Sequence, residues 1–159
     1  MIILEGNLLD TPFEIIAHQV NCMGVMNGGV AKQIREKYPI VYTEYKRNLQ
    51  PPGSSEYMFG KSQIIFCCGH TIFNIFGQFK YGTDRRYTDY KAVKSAFEDA
   101  LDKYRGDNDH QVTIAIPHGF GCGLAGGDWD TMVSILETLE KRENVVFVAY
   151  KLPKGGLLK

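Results

Sequence analysis

Short apolar runs and amphipathic stretches alternate along the chain and predict an α/β order of secondary structure. Apolar runs predict strands at the following positions: 2–5, 13–21, 61–69, 71–78, 111–117 and 144–150. Helical spacing of apolar residues predicts helices from Gly29 to the residue before Pro39, over 89–104 and over 130–142. The run 13–21 is mostly apolar, which is typical of a strand that is buried on both faces.

The connections between these elements complete the predicted architecture. Residues 40–49 continue as another short helix, the stretch 50–57 with its Pro-Pro-Gly-Ser-Ser predicts a loop, and Gly69-His70 predicts a hairpin turn. Residues 151–159 (KLPKGGLLK) are expected to form a loose tail. Strands that alternate with helices, plus one hairpin, predict a three-layer α/β/α domain with a mixed sheet. Because the 159 residues contain no internal repeat or linker, we expect a single domain, 1–159.

Composition narrows the classes of function. Lys and Arg number 18, as do Asp and Glu, so the formal net charge is zero, which argues against nucleic-acid binding through bulk charge. No apolar run approaches the roughly 18 residues of a membrane span. The first residues, MIILEGNLLD, lack the basic flank and the long apolar core of a signal peptide. We therefore expect a monomeric cytoplasmic protein without membrane association.

The four cysteines indicate neither a metal site nor a disulfide framework. They are Cys22, Cys67, Cys68 and Cys122, and the sequence contains no CxxC pair. A chain of this length with so few cysteines is not typical of folds held together by disulfides. We therefore predict no metal and no cofactor.

Two glycine-rich loops in equivalent positions indicate the chemistry. Residues 21–29 (NCMGVMNGG) and 118–127 (HGFGCGLAGG) each follow an apolar strand and lead into a helix. Ligands of α/β sheets bind beyond the carboxyl ends of strands, and the free N–H groups of a helix N-terminus attract phosphate. Glycines let the backbone approach oxygen atoms closely. Either loop alone is explained as an ordinary connection, but together they predict a pyrophosphate held from both sides.

The succession of motifs around these loops resembles a known family. The loops match neither the Walker sequence GxxxxGK[ST] nor the dinucleotide-binding GxGxxG pattern. Instead, EGNLLD, AHQVNCMGVMNGGVAKQIREKYP, NIFGQ and IPHGFGCGLAGGDW, in this order, resemble the macrodomain family over nearly the whole chain. AHQVN, and GCGL followed by Gly-Asp-Trp, are most similar to the branch that contains ADP-ribose-1″-phosphate phosphatases and terminal ADP-ribose protein glycohydrolases. The resemblance implies a six- or seven-stranded mixed sheet between helices, with ADP-ribose bound across the two loops.

The resemblance also implies roles for individual residues. Asn21 matches the asparagine that faces the distal ribose, and Asn7 with Leu8 match the segment that meets the adenine. The other implied ligand-binding residues lie in the two loops: Gly24, Gly28, Gly29 and Val30, then Gly121, Cys122, Gly123 and Leu124. We also predict ligand contacts for the residues that begin the second loop: His118, Gly119 and Phe120. A β-carbon at Gly123 is expected to strain a backbone that only glycine adopts.

Two departures from the family pattern affect the expected chemistry. Asn7 replaces the aspartate that usually contacts the adenine amino group, although an amide oxygen also accepts a hydrogen bond. Ala125 replaces the aspartate that follows GCGL in the glycohydrolases, and Lys80 stands in no diagnostic motif. Both facts argue against attack on the sugar by a lysine, while Asp128 offers a carboxylate three residues further on.

The predicted catalytic residues are Asn21, His18 and Asp128. In this hypothesis Asn21 holds a ribose hydroxyl or the attacking water, and His18 or Asp128 handles the proton. His18 is alternatively a hydrogen-bonded core histidine, and Asp128 is alternatively the N-cap of the helix 130–142.

Other side chains near the loops also have two interpretations. His118 binds the ligand or is an ordinary surface loop residue, and Lys80 with Arg85-Arg86 meets an anionic ligand or forms a solvated loop. The aromatic residues that could stack on a base or simply pack are Tyr81, Tyr87 and Tyr90. Phe120 is interpreted as a contact to a ribose or as a lid, because a large apolar side chain between loop glycines is otherwise hard to explain.

These observations lead to three hypotheses of function. The first is a hydrolase that removes the terminal phosphate from ADP-ribose 1″-phosphate, with preorganised N–H donors that offset charge on the phosphate. The second keeps the fold and removes ADP-ribosyl groups from protein or nucleic acid, so that nucleic acid is a partner only as an ADP-ribosylated substrate. The third is a non-catalytic reader of ADP-ribose.

Overall fold

Within residues 1–153, the part of the chain that the structure describes, six strands form one sheet with helices on both faces. The strands of this computed structural model are β1 Ile2–Glu5, β2 Ile15–Gln19, β3 Ser62–Cys67, β4 His70–Ile75, β5 Val112–Pro117 and β6 Val145–Lys151. The helices are α1 Gly29–Lys37, α2 Pro39–Asn48, α3 Ser54–Met58, α4 Tyr90–Arg105 and α5 Trp129–Glu143, and a short 3-10 turn covers Leu8–Asp10. The predicted alternation of strands and helices is confirmed.

The sheet is mixed, with strands in the order β1-β6-β5-β2-β4-β3. All neighbouring strands are parallel except β3 and β4, which form the predicted antiparallel hairpin. Ile15 of β2 lies beside Thr71 of β4 and Ile114 of β5. The carboxyl ends of β2, β4 and β5 therefore meet at one end of the sheet, where ligands of such sheets bind. The predicted three-layer α/β/α fold is confirmed, with six strands.

Two hydrophobic cores, one on each face of the sheet, hold the helices. Ile15 and Ala17 of β2 belong to the core that contains α4 and α5. Ile16 of β2 belongs to the opposite core, which contains buried side chains of α1, α2 and α3: Ile34, Val41, Tyr45 and Met58. Because successive residues of a strand point to opposite faces, β2 is buried on both sides, as its apolar run predicts.

The predicted loop 50–57 is wrong in its second half. The chain turns at Pro51, whose carbonyl accepts the N–H of Ser54 at 3.1 Å, but Ser54–Met58 forms a short helix. Met58 buries its side chain in the core and thereby holds this helical turn against the sheet. The apolar anchor lies one residue beyond the polar stretch, so the composition of 50–57 gives no sign of it.

Two strand ends also differ from the predictions. β2 is shorter than 13–21, because the Asn21 side chain accepts the N–H of Met23 at 2.9 Å and turns the chain out of the sheet. The hairpin turn lies at Cys68-Gly69 rather than at Gly69-His70, with φ of +52° and +81° at these two residues. Cys67 pairs with His70, so the register of the hairpin leaves Cys68 and Gly69 as the two loop residues, and both have the positive φ of a type I′ turn.

The carboxyl-terminal end of the chain is described only in part. Lys151 ends β6, and residues 154–159 of the predicted tail lie outside the described residues. Across residues 1–153, the helices are too short or too polar for a membrane crossing.

Candidate functional site

A cavity of about 440 Å³ lies between the two glycine loops, at the carboxyl ends of β2 and β5. The structure brings together most of the predicted loop residues in its wall: Asn21, Gly28, Gly29, Val30, His118, Gly119, Gly121, Gly123 and Leu124. His18 and Tyr81, two of the residues with alternative interpretations, also line this cavity. The further lining residues Gln19, Gln78, Gly82 and Thr83 were not predicted from the sequence. The site therefore joins three connections of the fold rather than two.

A smaller cavity of about 140 Å³ adjoins the main one. Both are lined by Val30, Pro117 and His118, so they form one elongated groove. Asn7 and Leu8 line the smaller cavity. The Asn7 Oδ1 atom accepts the N–H of Leu9 at 3.0 Å and caps the turn Leu8–Asp10, so the chain itself already uses this oxygen.

Asn21 organises the first loop. Its Oδ1 accepts the N–H groups of Met23 at 2.9 Å and Val25 at 3.3 Å, and its Nδ2 donates to the Val25 carbonyl at 2.7 Å. The buried Tyr45 hydroxyl donates to the Asn21 backbone carbonyl at 2.6 Å and to Oδ1 at 2.8 Å. These bonds leave Asn21 one N–H, on Nδ2, for a ligand.

The first loop ends at the N-terminus of α1, which faces the second loop. Gly28 is the N-cap and offers no side chain to the free N–H groups of the first turn. A β-carbon at Gly28 would stand 2.6 Å from Leu124 Cδ1, so the two loops touch here. An exposed helix N-terminus with unsatisfied N–H groups attracts anions.

The second loop is built from backbone turns. Phe120 N–H bonds to the Pro117 carbonyl at 3.1 Å, Cys122 N–H to Gly119 at 2.7 Å, and Gly127 N–H to Gly121 at 3.0 Å. Gly119 and Gly121 have φ of +77° and +69°, which explains why glycines occupy these positions.

Gly123 differs from its neighbours in the loop. A β-carbon at this position would meet no atom of residues 1–153 within 4 Å, and the φ of Gly123 lies outside the left-handed region. The expectation that a side chain at Gly123 strains the backbone is therefore wrong, and the strain belongs to Gly121, where a β-carbon would stand 2.8 Å from Gln19 Oε1.

A polar network on β2 and its neighbours ties the segment 78–88 to the second loop. Gln19 Nε2 donates to Gln78 Oε1 at 2.9 Å and to Thr88 Oγ1 at 2.8 Å. Thr88 Oγ1 donates to the Gly121 carbonyl at 2.5 Å, and Gln78 Nε2 donates to the Lys80 carbonyl at 2.9 Å. Sequence analysis missed this network, although a glutamine in an otherwise apolar strand was a signal that it makes buried hydrogen bonds.

The Gln19 amide presents an acceptor toward the second loop. Both of its Nε2 hydrogens are used, and its Oε1 is buried without a hydrogen-bond partner in the described part of the chain. The positions next to this oxygen are Gly77 and Gly121, where a β-carbon would approach it to 2.6 and 2.8 Å. The position of Gln19 Oε1 therefore requires glycine at both 77 and 121.

His18 is a buried neutral histidine. Its Nε2 lies 2.6 Å from Asn74 Oδ1, and the residue is 1% exposed. Burial lowers the pKa of His18 to about 4, against the effect of the Asn74 hydrogen bond. An imidazole with this pKa is not protonated at neutral pH, so the ring lacks the proton that a general acid donates.

Asp128 is the N-cap of α5 and does not line either cavity. Its Oδ2 accepts the backbone N–H and the hydroxyl of Thr131 at 2.9 and 2.8 Å, and these bonds lower the pKa of its carboxyl. Its backbone N–H donates to the Tyr90 hydroxyl at 2.8 Å. The placement supports the capping interpretation and contradicts the hypothesis that Asp128 handles a proton in the cavity.

The prediction for Phe120 is wrong. Its ring is 1% exposed and packs on Phe97 of α4, with ring centroids 5.4 Å apart. The loop backbone turns this side chain into the core, away from the cavity, so Phe120 is an anchor of the loop rather than a lid. Two further loop residues, Gly24 and Cys122, do not line either cavity.

His118 stands where the two cavities join. Its ring lies 4.7 Å from the Trp129 ring, and burial together with the nearby charge of Lys151 lowers the pKa of His118. Among residues 1–153, the titratable side chains that line the main cavity are His18, Tyr81 and His118. The described residues contain no group of three His, Cys, Asp or Glu side chains that could hold a metal ion.

The segment after β4 forms an exposed basic rim. Lys80, Arg85 and Arg86 are exposed, and they flank Tyr81–Thr83, which lines the main cavity. The Arg86 guanidinium lies 4.5 Å from the ring centroid of Tyr90, whose ring packs against the core. Tyr87 donates to Asp84 at 2.6 Å, whereas Tyr81 is 54% exposed at the cavity.

Comparisons with known proteins identify relatives that align over most of this chain. A DNA ADP-ribosyl glycohydrolase of Mycobacterium tuberculosis (strain ATCC 25618 / H37Rv) is 40% identical over 161 residues, covering 96% of this chain and 42% of that protein. An ADP-ribose 1″-phosphate phosphatase of Saccharomyces cerevisiae (strain YJM789) is 27% identical, covering 94% of this chain and 97% of that protein. The chain thus spans less than half of the mycobacterial relative and nearly all of the yeast relative.

Solved structures and the family model give the same result. The macrodomain of Thermus aquaticus DarG superposes with a TM-score of 0.69 at 25% identity, covering 94% of this chain and 97% of that one. The family model described as Macro domain matches residues 17–136, which include both glycine loops. The resemblance inferred from the motifs is confirmed, and the chain belongs to the Macro domain family.

Proposed function

We propose that this protein binds an ADP-ribosyl group in the groove between its glycine loops and hydrolyses the bond between this group and the molecule or phosphate attached to its distal ribose. The observation that carries the proposal is the pair of loops that face each other across the main cavity, one ending in the N-terminus of α1 and the other built from backbone turns. Relatives named for ADP-ribosyl chemistry, aligned over 94–96% of this chain, support the choice of ligand.

The shape of the groove suits an elongated ligand with a charged centre. ADP-ribose consists of an adenosine, a diphosphate and a second ribose, and the groove consists of two cavities joined at Val30, Pro117 and His118. We place the adenosine in the smaller cavity and the diphosphate between the α1 N-terminus and the second loop. The N–H groups and the helix dipole there stabilise negative charge without reorganisation.

We propose ADP-ribosylated DNA as the first substrate to test. The mycobacterial relative at 40% identity is named for this activity. The basic rim of Lys80, Arg85 and Arg86 lies beside the cavity, where it can contact the phosphates that flank a modified base. This local charge is compatible with the zero net charge of the chain, because the groove supplies the specificity.

ADP-ribose 1″-phosphate is the second candidate substrate. The observation that favours it is the yeast relative, which is named for this activity and aligns over 94% of this chain. The leaving group here is phosphate, which is too small to need contacts with the basic rim outside the cavity. Removal of the charges of the rim therefore distinguishes the two substrates.

The chemical step depends mainly on binding and orientation in this proposal. The neutral His18 and the cap Asp128 do not supply a proton at neutral pH from inside the cavity. Gln78 Nε2 donates to the backbone carbonyl of Lys80 at 2.9 Å. We propose to test the side-chain amine of Lys80 as a participant in the reaction. Preorganised N–H donors stabilise the charge that develops at the bond being broken.

Turnover is measured on an ADP-ribosylated oligonucleotide and on ADP-ribose 1″-phosphate in parallel, with ADP-ribose quantified by mass spectrometry. We expect release from the oligonucleotide, a loss of at least tenfold for Arg85→Ala/Arg86→Ala, and a smaller loss on ADP-ribose 1″-phosphate. Lys80→Ala is compared with Lys91→Ala, an exposed lysine of α4 outside the groove. ADP-ribose binding without turnover of either substrate means a reader, and no binding of ADP-ribose means that the proposal is wrong.

A further inference from the structure

A directional chain of hydrogen bonds runs from α2 through β3 and β4 to His18. Gln63 Nε2 donates to the backbone carbonyl of Glu44 at 3.0 Å. Because a carbonyl only accepts, the Gln63 amide turns its Oε1 toward Asn74, whose Nδ2 donates to it at 3.0 Å. The other end of the Asn74 amide, Oδ1, therefore faces His18 Nε2 at 2.6 Å.

This orientation determines which nitrogen of His18 carries the proton. Asn74 Oδ1 only accepts, so His18 Nε2 carries the hydrogen, and Nδ1 of the neutral ring is left as an acceptor. Nδ1 is buried and has no hydrogen-bond partner within residues 1–153. Since His18 is a lining residue of the main cavity, the unpartnered acceptor on its ring points to a donor supplied by the ligand.

We propose that His18 Nδ1 accepts a hydrogen bond from a hydroxyl group of the bound ligand, and that Gln63 and Asn74 are the positioning residues that keep this nitrogen free of a proton. The inference rests on the proposed function, because it takes the ligand to be ADP-ribose, which carries hydroxyl groups on both riboses. It also assigns a specificity, since this point of the cavity accepts a hydroxyl and rejects an ionised phosphate oxygen, which cannot donate.

The tautomer of His18 is measured by long-range ¹H–¹⁵N correlation spectra of the labelled protein at pH 7, with His18→Gln to assign the signal among the four histidines. We expect a protonated Nε2, an unprotonated Nδ1, and a shift of the Nδ1 signal when ADP-ribose is added. A protonated Nδ1, or an Nδ1 signal that does not move while ADP-ribose is bound, overturns the inference alone. If the parent protein does not bind ADP-ribose, the proposed function and this inference both fail.

A matched pair of substitutions at Gln63, a half-buried residue of β3 that does not line the cavity, tests the chain of bonds. Gln63→Glu keeps an acceptor toward Asn74 and is expected to keep the parent tautomer. Gln63→Lys presents a donor, so the Asn74 amide has to turn and the His18 proton moves to Nδ1. We expect Gln63→Lys to weaken ADP-ribose binding about 3- to 10-fold, the effect of one hydrogen bond.

Long-range charge predicts the opposite order of the two variants, because ADP-ribose is an anion and the lysine would attract it. Gln111→Lys, an exposed residue just before β5, measures that charge effect separately. A purely structural role of Gln63 would lower the melting temperature of both variants and leave the His18 signal in place, which would contradict the inference. The spectra of the parent protein decide the tautomer even where a variant does not fold.

Discussion

The two faces of the sheet at the end of β2 hold their loops in different ways. On the face of α1 and α2, side chains hold the backbone, as Asn21 and Tyr45 do in the first loop. On the face of α4 and α5, backbone turns and left-handed glycines such as Gly121 hold the second loop. The first loop is therefore the more sensitive of the two to the loss of a polar side chain. A β-carbon disturbs the second loop at Gly121 and the first at Gly28, where it would stand 2.6 Å from Leu124 Cδ1.

The largest expected effect is the dependence of the unfolding free energy on pH, which comes from His18. Burial lowers the pKa of folded His18 to about 4 from its ordinary 6.5. When the pH falls below 6.5, His18 of the unfolded chain takes up a proton while His18 of the folded protein does not. The free energy of unfolding therefore decreases from about pH 6.5 down to the folded pKa of about 4. The loss amounts to about 3 kcal/mol at the lower limit. Urea denaturation at several pH values should show a steeper loss in the parent protein than in His18→Gln, and equal slopes would contradict this assignment.

Removal of the Asn21 side chain should be the next largest effect. Asn21→Ala takes the acceptor from the Met23 and Val25 N–H groups and one of two acceptors from the buried Tyr45 hydroxyl. We expect a loss of about 2–3 kcal/mol of unfolding free energy, measured by urea denaturation, since buried donors are left without partners. Asn27→Ala, an exposed asparagine of the same loop, should change stability by less than about 0.5 kcal/mol.

The addition of a β-carbon should affect Gly121 and Gly123 of the second loop differently. Gly121 has a φ of +69°, and its β-carbon would stand 2.8 Å from Gln19 Oε1, so Gly121→Ala should cost about 1–3 kcal/mol. Gly123→Ala enters open space and should lie within about 0.5 kcal/mol of the parent protein. Thermal melting of both variants checks the difference, and equal melting temperatures would show that the loop adapts freely.

The substitution Gly123→Glu should have the smallest effect on stability but a clear effect on the binding of ADP-ribose. Gly123 lines the main cavity, and a β-carbon there meets no atom of the described residues within 4 Å, so Gly123→Glu should leave the fold as stable as the parent. Repulsion of the diphosphate should weaken ADP-ribose binding about tenfold, which corresponds to about 1.4 kcal/mol. Calorimetry with ADP-ribose, with Gly123→Gln as the neutral control, measures the charge effect, and unchanged affinity would move the diphosphate away from this loop.

The order of elements and the position of the loops were predictable because they depend on local pattern. The apolar run that contains β2 predicted a strand buried on both faces, and the spacing in α4 predicted the helix that covers it. A loop between a strand and a helix of such a sheet has to lie at the ligand end, so residues 21–29 and 118–127 could be placed before any contact was known.

The direction of individual side chains was not predictable from these patterns. Phe120 and Leu124 are both apolar residues between glycines, yet Phe120 is 1% exposed in the core and Leu124 is 61% exposed at the cavity. The left-handed glycines on each side of Phe120 turn its side chain inward, and the sequence does not state which glycines take that conformation. The same uncertainty led to the wrong expectation of strain at Gly123.

The sequence by itself determined the fold class, the family and the two loops, because periodic burial and glycine positions are encoded within a few neighbouring residues. Only the tertiary structure decided the chemical state of the groove. Burial keeps His18 neutral. Asn74 on β4 and Gln63 on β3, which stand 56 and 45 positions away, fix the proton on Nε2 and leave Nδ1 without a partner within residues 1–153. Gln19 presents Oε1 because Gln78 and Thr88 take both hydrogens of its amide. Hydrogen-bond direction depends on partners that are distant in sequence, so it appears only when the strands are side by side.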